Sequence, residues 1–364
     1  MLITIQKIVS SGDGIGWGDG KTFFVPRVIP GETVDIRSVV PLRRALLATD
    51  FRVVGPSPLR QDPPCSLFGR CGGCSFLHIP YPFHLEIKQR ILEEFFRQQG
   101  ERLPVPIITV KIGDFRLRSR AKVQITAGRP AFSQRSGHDL VPFDDCPLLH
   151  EGLVAVIRED APMRADGPLH YEYAPQSGGW IPRDTSVEKV VAGEPFRVSR
   201  GSFFQASEAG ATALVSLVER VIQVVKPSRV LDLFCGVGLF SRFAVRAGCA
   251  VTGIDLGAGD DFAVNVPSGR FLQGDLSRPF PLPPADLIIA DPPRAGMVPS
   301  LIESIARHPA SHLCYVSCDG ATFVRDVGRL ARRGRFLLRS LTLVDQFPFT
   351  ARIEIVAHLV RGET

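Results

Sequence analysis

Four cysteines stand where their spacing could do inorganic chemistry: Cys65, Cys71 and Cys74 in CSLFGRCGGC, and Cys146 downstream in FDDCPLLH. The first three form a C-x5-C-x2-C cluster, and Gly72 and Gly73 inside it let the backbone wrap closely around an inorganic core. Four thiolates suit either tetrahedral zinc or a [4Fe–4S] cluster. Structural zinc is usually held by two short, similar C-x2–4-C halves, whereas this chain has three ligands plus one. The spacing therefore favours iron–sulfur over zinc, and both over unligated core cysteines. The five-residue first gap and the fourth ligand also set it apart from the C-x3-C-x2-C pattern of radical S-adenosylmethionine (SAM) enzymes, which leave one iron open. A fully ligated cluster is structural or sensing rather than catalytic.

A second group of residues could hold a nucleoside. In VLDLFCGVGLF an apolar strand carries Asp232 and runs through Phe234 into a glycine turn at Gly236 and Gly238. Such glycines bring the backbone close to a ligand at the carboxyl end of a strand. The next strand, CAVTGIDL, ends in Asp255, placed to accept hydrogen bonds from both ribose hydroxyls, and RFLQGDL ends in Asp275, placed to reach an adenine amino group. G-x-G without the third glycine serves a dinucleotide pyrophosphate poorly and suits SAM better. The fourth strand, DLIIADPPRAG, ends in Asp291 and two prolines that fix a rigid turn where substrate approaches.

A third group could break and make carbon bonds. HLCYVSCDG places Cys318 at the end of a fifth strand, before a helix, where a thiolate can form, with Arg294 or Arg325 able to add positive charge. Cys314, inside the same strand, reads as core. In DQFPFTARIEIVAHLV, Glu354 sits among Ile353, Ile355 and Val356, a setting that raises a carboxyl pKa and suits a general acid/base. A thiolate, a base and SAM together fit one target well. Carbon 5 of uracil is a weak nucleophile until a thiolate adds to carbon 6, and a base must then remove the carbon-5 proton.

These residues need elements to position them. Residues 1–55 alternate short β-branched stretches with GDGIGWGDGK and IPGE turns, which predicts a small closed barrel of the OB type. Residues 56–199 hold the cysteine loop, an amphipathic helix at 83–99 and several strands. From residue 200 to 364 a helix and then alternating apolar strands and helices predict a doubly wound α/β sheet. In FRLRSRAK, Arg116, Arg118, Arg120 and Lys122 recur at period two, which on a strand would put four cations on one face as a footprint for a phosphate backbone. The chain has 364 residues, 45% hydrophobic composition and a net charge of +6, with arginine outnumbering lysine, which fits two or three packed domains and a nucleic-acid partner. No apolar run reaches the length of a membrane span and no signal peptide is evident, so a cytoplasmic protein with reduced thiols is expected.

Read together, the motifs CSLFGRCGGCSFLH, DDCPLLH, GSFFQAS, VLDLFCGVGLF, DPPRAG, YVSCDGATFVRD and DQFPFTARIE resemble, in this order, the RNA uracil-5-methyltransferases that carry a [4Fe–4S] cluster. The resemblance spans nearly the whole chain and implies a Rossmann-like SAM methyltransferase domain at 200–364, a TRAM-like barrel at 1–55 and a cluster-bearing RNA-binding region between them. It implies that Cys65, Cys71, Cys74 and Cys146 hold the cluster, that Gln205, Phe234, Asp255 and Asp291 line the SAM site with Asp275 near the adenine, that Cys318 is the nucleophile and Glu354 the base, and that the target uridine flips into the pocket. The expected substrate is ribosomal RNA, with the T-loop of transfer RNA, or RNA binding without catalysis, as alternatives; a monomer is expected. The chain departs from the family at Asp319-Gly320, where Asn-Pro is usual, and at Ala351-Arg352, where a histidine is usual. It also has Ser207 and Ala211 after SFFQ, and Leu239 after the glycine turn. Asp319 is expected to raise the Cys318 thiol pKa.

Overall fold

The computed structural model describes residues 1–135, 137 and 139–362. The first layer is a six-stranded sheet of β1 (Leu2–Thr4), β2 (Lys7–Ile8), β3 (Asp13–Gly18), β4 (Lys21–Pro26), β5 (Thr33–Pro41) and β6 (Leu46–Gly55) in the order β1-β5-β6-β4-β3-β2. Its two edge strands follow one another in the chain, so one bent stretch of backbone serves both edges and brings them together. Alternate residues point inward, and Ile3, Phe23, Val25, Val34 and Ile36 fill the interior.

The Pro-rich stretch and the cysteine loop then lead to α1 (Pro82–Gln98) and β7 (Ile107–Val110). The middle of the chain forms a five-stranded antiparallel sheet from β8 (Arg120–Thr126), β9 (Arg129–Ser133), β10 (Leu140–Pro142), β11 (Gly167–Tyr173) and β12 (Trp180–Ile181), with α2 (Glu151–Asp160) packed on it. A hairpin, β13 (Ser186–Val191) and β14 (Glu194–Ser199), follows.

The last layer is built from α3 (Glu208–Val225), β15 (Arg229–Leu233), α4 (Leu239–Arg246), β16 (Ala250–Asp255), α5 (Gly259–Asn265), β17 (Arg270–Gln273), β18 (Leu287–Ala290), α6 (Pro299–Arg307), β19 (His312–Ser317), α7 (Gly320–Gly334), β20 (Phe336–Val344) and β21 (Glu354–Arg361). Its sheet has eight strands in the order β17-β16-β15-β18-β19-β21-β20-β7. Strands β15 to β19 pair in parallel around β15, and β21 runs antiparallel between β19 and β20. Strands buried on both faces explain the continuous apolar runs RVLDL and LIIA. The doubly wound sheet expected from residue 200 onward thus holds.

Two boundaries differ from the expected division at residue 199. Strand β7 adds to the edge of the eight-stranded sheet beside β20, and Leu92 and Phe96 of α1 pack into the core under it. The β13–β14 hairpin buries Val187, Val191, Phe196 and Val198 against α3 and α4. Both segments precede residue 200 because their partners lie far along the chain, where sequence texture gives no signal. No helix among the described residues is long and apolar enough to cross a membrane.

Candidate active site

The carboxyl ends of the parallel strands bring the expected residues to one edge. After β15 the chain turns through Phe234 at φ 62°, Gly236 at φ 51° and Gly238 at φ 91° before α4 begins. A side chain at Gly238 would run into Val266 at 2.5 Å, so close packing as well as the left-handed backbone demands glycine there. At Gly236 nothing lies within 4 Å of where a Cβ would stand, leaving open space in front of the strand ends. Asp255 braces this turn: its Oδ2 accepts the Gly236 N–H at 3.0 Å, and its Oδ1 accepts the Gly257 N–H at 2.9 Å. Asp275 lies two residues beyond β17, exposed, where it accepts from the Ser277 backbone N–H and hydroxyl and pairs with Arg278.

Asp291 follows β18 and meets a chain of side-chain amides. Gln346 Nε2 donates to Gln205 Oε1 at 2.8 Å, and Gln205 Nε2 donates to Asp291 Oδ2 at 3.4 Å. Both glutamines are buried. Asp232 lies deeper still, fully buried, accepting from the Ser241 hydroxyl at 2.6 Å while its Oδ1 has no partner. Burial, against the Ser241 hydrogen bond, pushes its carboxyl up to about 7.

Cys318 and Glu354 face each other across neighbouring strands. Ser317 of β19 pairs with Ile355 of β21, and the antiparallel register carried one residue further sets Cys318 against Glu354. Glu354 is 3% exposed, and burial followed by repulsion from Asp291 raises its carboxyl well above the ordinary range, with Arg294 opposing. Burial, then Glu354 and Asp291, pushes the Cys318 thiol up to about 11, again with Arg294 opposing. Asp319 is not the cause expected from sequence. Its carboxylate caps α7, accepting the Thr322 N–H at 2.9 Å.

The four clustered cysteines also converge. Cys65, Cys71, Cys74 and Cys146 line one cavity of about 170 Å³, walled by Phe68, Leu77 and Phe132 and bordered by Arg118. Burial raises the thiols of Cys71, Cys74 and Cys146, and neighbouring cysteines raise each further. All four are free of disulfides. Among the described residues no group of three or more His, Cys, Asp or Glu side chains is arranged to hold a single metal ion.

This arrangement has counterparts among known proteins. A model of the tRNA (Uracil-5-)-methyltransferase family matches residues 284–361, the stretch that carries Asp291, Cys318 and Glu354. The 23S rRNA (uracil(1939)-C(5))-methyltransferase RlmD of Pseudomonas savastanoi pv. phaseolicola is 28% identical over 98% of this chain and 92% of its own. The tRNA (uracil(54)-C(5))-methyltransferase of Pyrococcus abyssi is 27% identical over 95% of this chain and 97% of its own. A crystal structure of the Pyrococcus abyssi tRNA (uracil-54, C5)-methyltransferase in complex with S-adenosyl-L-homocysteine superposes with a TM-score of 0.80 at 22% identity, over 99% of this chain and 100% of that one. The family model and these relatives support the RNA uracil-5-methyltransferase family for this chain.

Within this methyltransferase the row of cations expected at 116–122 is not a single face. Strand β8 begins only at Arg120. Arg116 adopts φ 58° and pairs with Asp145, Arg120 pairs with Glu172 at 3.3 Å, and Arg118 folds back to donate to the Arg120 carbonyl at 2.9 Å. Period two needs a continuous strand, and the left-handed residue at Arg116 breaks it. Sequence reasoning also missed Gln346 and Lys88. Lys88 is wholly buried in α1, where it pairs with Asp345 and donates to the Phe347 carbonyl at 2.8 Å, holding the loop that leads to Glu354. The Phe349 carbonyl in that loop accepts the Ser75 and Phe76 N–H groups at 2.8 and 3.0 Å, which ties the loop before Glu354 to the cysteine loop.

Proposed function

We propose that this enzyme methylates carbon 5 of a uridine in RNA through a covalent adduct on Cys318, with Glu354 as the base. The observation that carries the reading is the register that sets Cys318 against Glu354 at the strand ends that also carry Asp255 and Asp291. The Cys318 thiolate adds to carbon 6 of uracil and sends the electron pair to the carbonyl oxygen at carbon 4 as an enolate. Bound SAM supplies the electrophilic methyl group that carbon 5 takes up. Glu354 removes the carbon-5 proton, and the returning electron pair expels the Cys318 thiolate from carbon 6, restoring the ring. Burial suits both groups to this cycle, because a carboxyl with a raised pKa is a stronger base and an uncharged thiol is compatible with the pocket until substrate and Arg294 draw out the thiolate.

For SAM, the open space in front of Gly236 and the carboxylate of Asp255 give a place for the nucleoside, with Gln205, Phe234, Gly238 and Asp291 around it and Asp275 nearest the expected adenine. For the thiol-lined cavity, we propose Cys65, Cys71, Cys74 and Cys146 as ligands of a [4Fe–4S] cluster. Four thiols lining one cavity are the donor set that a [4Fe–4S] cluster takes, and the three-plus-one spacing favours it over zinc. The sheet at residues 1–55, whose edges meet through one bent strand, is read as the TRAM-like barrel, and 56–199 as the cluster and RNA-binding region. Ribosomal RNA is the proposed substrate, supported by the 23S rRNA enzymes among the relatives, in a cytoplasmic monomer.

RNA carrying 5-fluorouridine tests the reading, because fluorine at carbon 5 cannot leave as a proton does and the adduct accumulates. A SAM-dependent protein–RNA adduct is expected from the wild type and none from Cys318→Ala. Equal methyl transfer by the two proteins would refute the mechanism.

A further inference from the structure

A second cavity, of about 120 Å³, lies between the cysteine loop and the loop before Glu354, lined by Gly73, Arg118, Ser207, Gln346, Thr350 and Arg352 among others. Its two arginines are unlike their neighbours. Arg116, Arg120 and Arg325 each pair with a carboxylate. Among the described residues, Arg118, Arg294 and Arg352 pair with none. Arg118 lies deep in the protein yet exposes its surface, because this cavity and the thiol-lined one both open onto it. Arg294 and Arg352 are exposed as well. Burial, then repulsion from Arg294 and Arg118, lowers the Arg352 pKa below the usual guanidinium value, and Cys318 is close enough to oppose this.

Like charges gathered in a walled cleft with no carboxylate in ion-pair contact repel one another and gain when an anion enters. Of the other polar groups of the wall, the Thr350 hydroxyl donates to the Phe347 carbonyl, the Ser207 oxygen caps α3, and Gln346 donates to Gln205 while its Oε1, an acceptor, has no partner. The free charged donors are the terminal guanidinium nitrogens of Arg118, whose Nε is held by the Arg120 carbonyl, and the guanidinium of Arg352, and their planar geometry matches the oxygens of a phosphate. We propose that Arg118 and Arg352, with Arg294 at the rim, bind a phosphodiester of the RNA strand beside the target uridine. This rests on the methylation reading above: a uracil at Cys318 brings its own backbone to these arginines.

The test is fluorescence anisotropy of the full-length protein with a labelled oligouridylate over a series of KCl concentrations. Arg118→Gln and Arg352→Gln are each expected to weaken binding roughly tenfold at low salt. Each should also reduce the slope of log affinity against log salt by about 0.7. Arg352→Lys should keep the slope while binding less tightly. On an oligouridylate with methylphosphonate linkages, wild type and variants should converge. Calorimetric SAM affinity and melting temperature should match wild type. Unchanged slopes in both Gln variants, with wild type binding RNA normally, would overturn the phosphate site and leave the methylation reading intact. Loss of SAM affinity in place of RNA affinity would overturn it too, by assigning the cavity to the methionine carboxylate. A wild type that neither binds the oligouridylate nor forms the 5-fluorouridine adduct would remove both.

Discussion

At the scale of single residues, the site sets its acid and its nucleophile against each other. Glu354 raises the Cys318 pKa and Arg294 lowers it. At a fixed pH, Glu354→Gln should therefore expose more thiolate and Arg294→Gln less. Alkylation of the Cys318 peptide by iodoacetamide, followed by mass spectrometry at mildly alkaline pH, should run faster than wild type in Glu354→Gln and slower in Arg294→Gln, with up to about a tenfold change in rate for each unit of pKa. Identical rates in the three proteins would show that neither charge acts on the thiol. Turnover should move differently, since removing a general base costs roughly 100- to 10,000-fold. Glu354→Gln should still add to uridine and should accumulate methylated RNA bound to Cys318. Cys318 and Glu354 were both legible in the sequence, because each interrupts an apolar strand at its end, where a polar residue stands out. Gln346 and Lys88 were not. Gln346 acts through Gln205, and Lys88 through Asp345, and these contacts link segments far apart along the chain.

At the scale of elements, the first turn of α3 and the loop before β21 control the amide chain that ends on Asp291. A Cβ added at Gly210 would stand 1.5 Å from Gln346 Oε1. Gly210→Ala should strengthen α3 by about 1 kcal/mol from propensity alone. It should also displace Gln346 and loosen Gln205 from Asp291. The expected result is a loss of kcat/KM of tenfold or more without a matching loss of melting temperature; unchanged kinetics would show that the amide chain does not position Asp291. The Lys88–Asp345 pair makes the opposite kind of prediction. Truncation to Lys88→Met leaves a buried carboxylate alone and should cost about 3–5 kcal/mol in urea unfolding. The double variant Lys88→Met/Asp345→Leu should recover most of it, because two apolar side chains need no partner. The helical stripe of α1 was readable from its period, yet Lys88 lies on its buried face, in register with His84 and Leu92. A lysine there reads as solvent-facing until its partner, supplied by a distant strand end, is known. The same reason hid β7, whose place in the sheet is decided by β20 and not by its own residues.

At the scale of the whole molecule, two sets of buried titrating groups oppose each other. His84 and His358 are pushed down to about 4, chiefly by burial. His84 Nε2 donates to the Phe76 and Ile79 carbonyls at 3.2 and 2.9 Å, bonds that favour the charged ring, but burial outweighs them and Nδ1 has no partner. A histidine whose folded pKa is depressed contributes stability that is present above its unfolded value of about 6.5 and lost as pH falls towards 4, roughly 3 kcal/mol for each ring. Asp232 does the reverse. Its folded pKa of about 7 lies above its ordinary value of 3.8, so it costs stability that grows as pH rises from about 4 to 7, and the penalty disappears as pH falls towards 4. The size of that penalty is at most roughly 4 kcal/mol. Asp232→Asn keeps the shape and can still accept from Ser241. It should raise the urea midpoint at pH 8, and that gain should shrink steadily to nothing near pH 4. In the variant the histidines then act with less opposition, so its stability should fall more steeply on acidification than that of the wild type. A gain of the same size at every pH would mean that the Asp232 carboxyl titrates alike in the folded and unfolded chain, so that burial behind the SAM turn does not shift it.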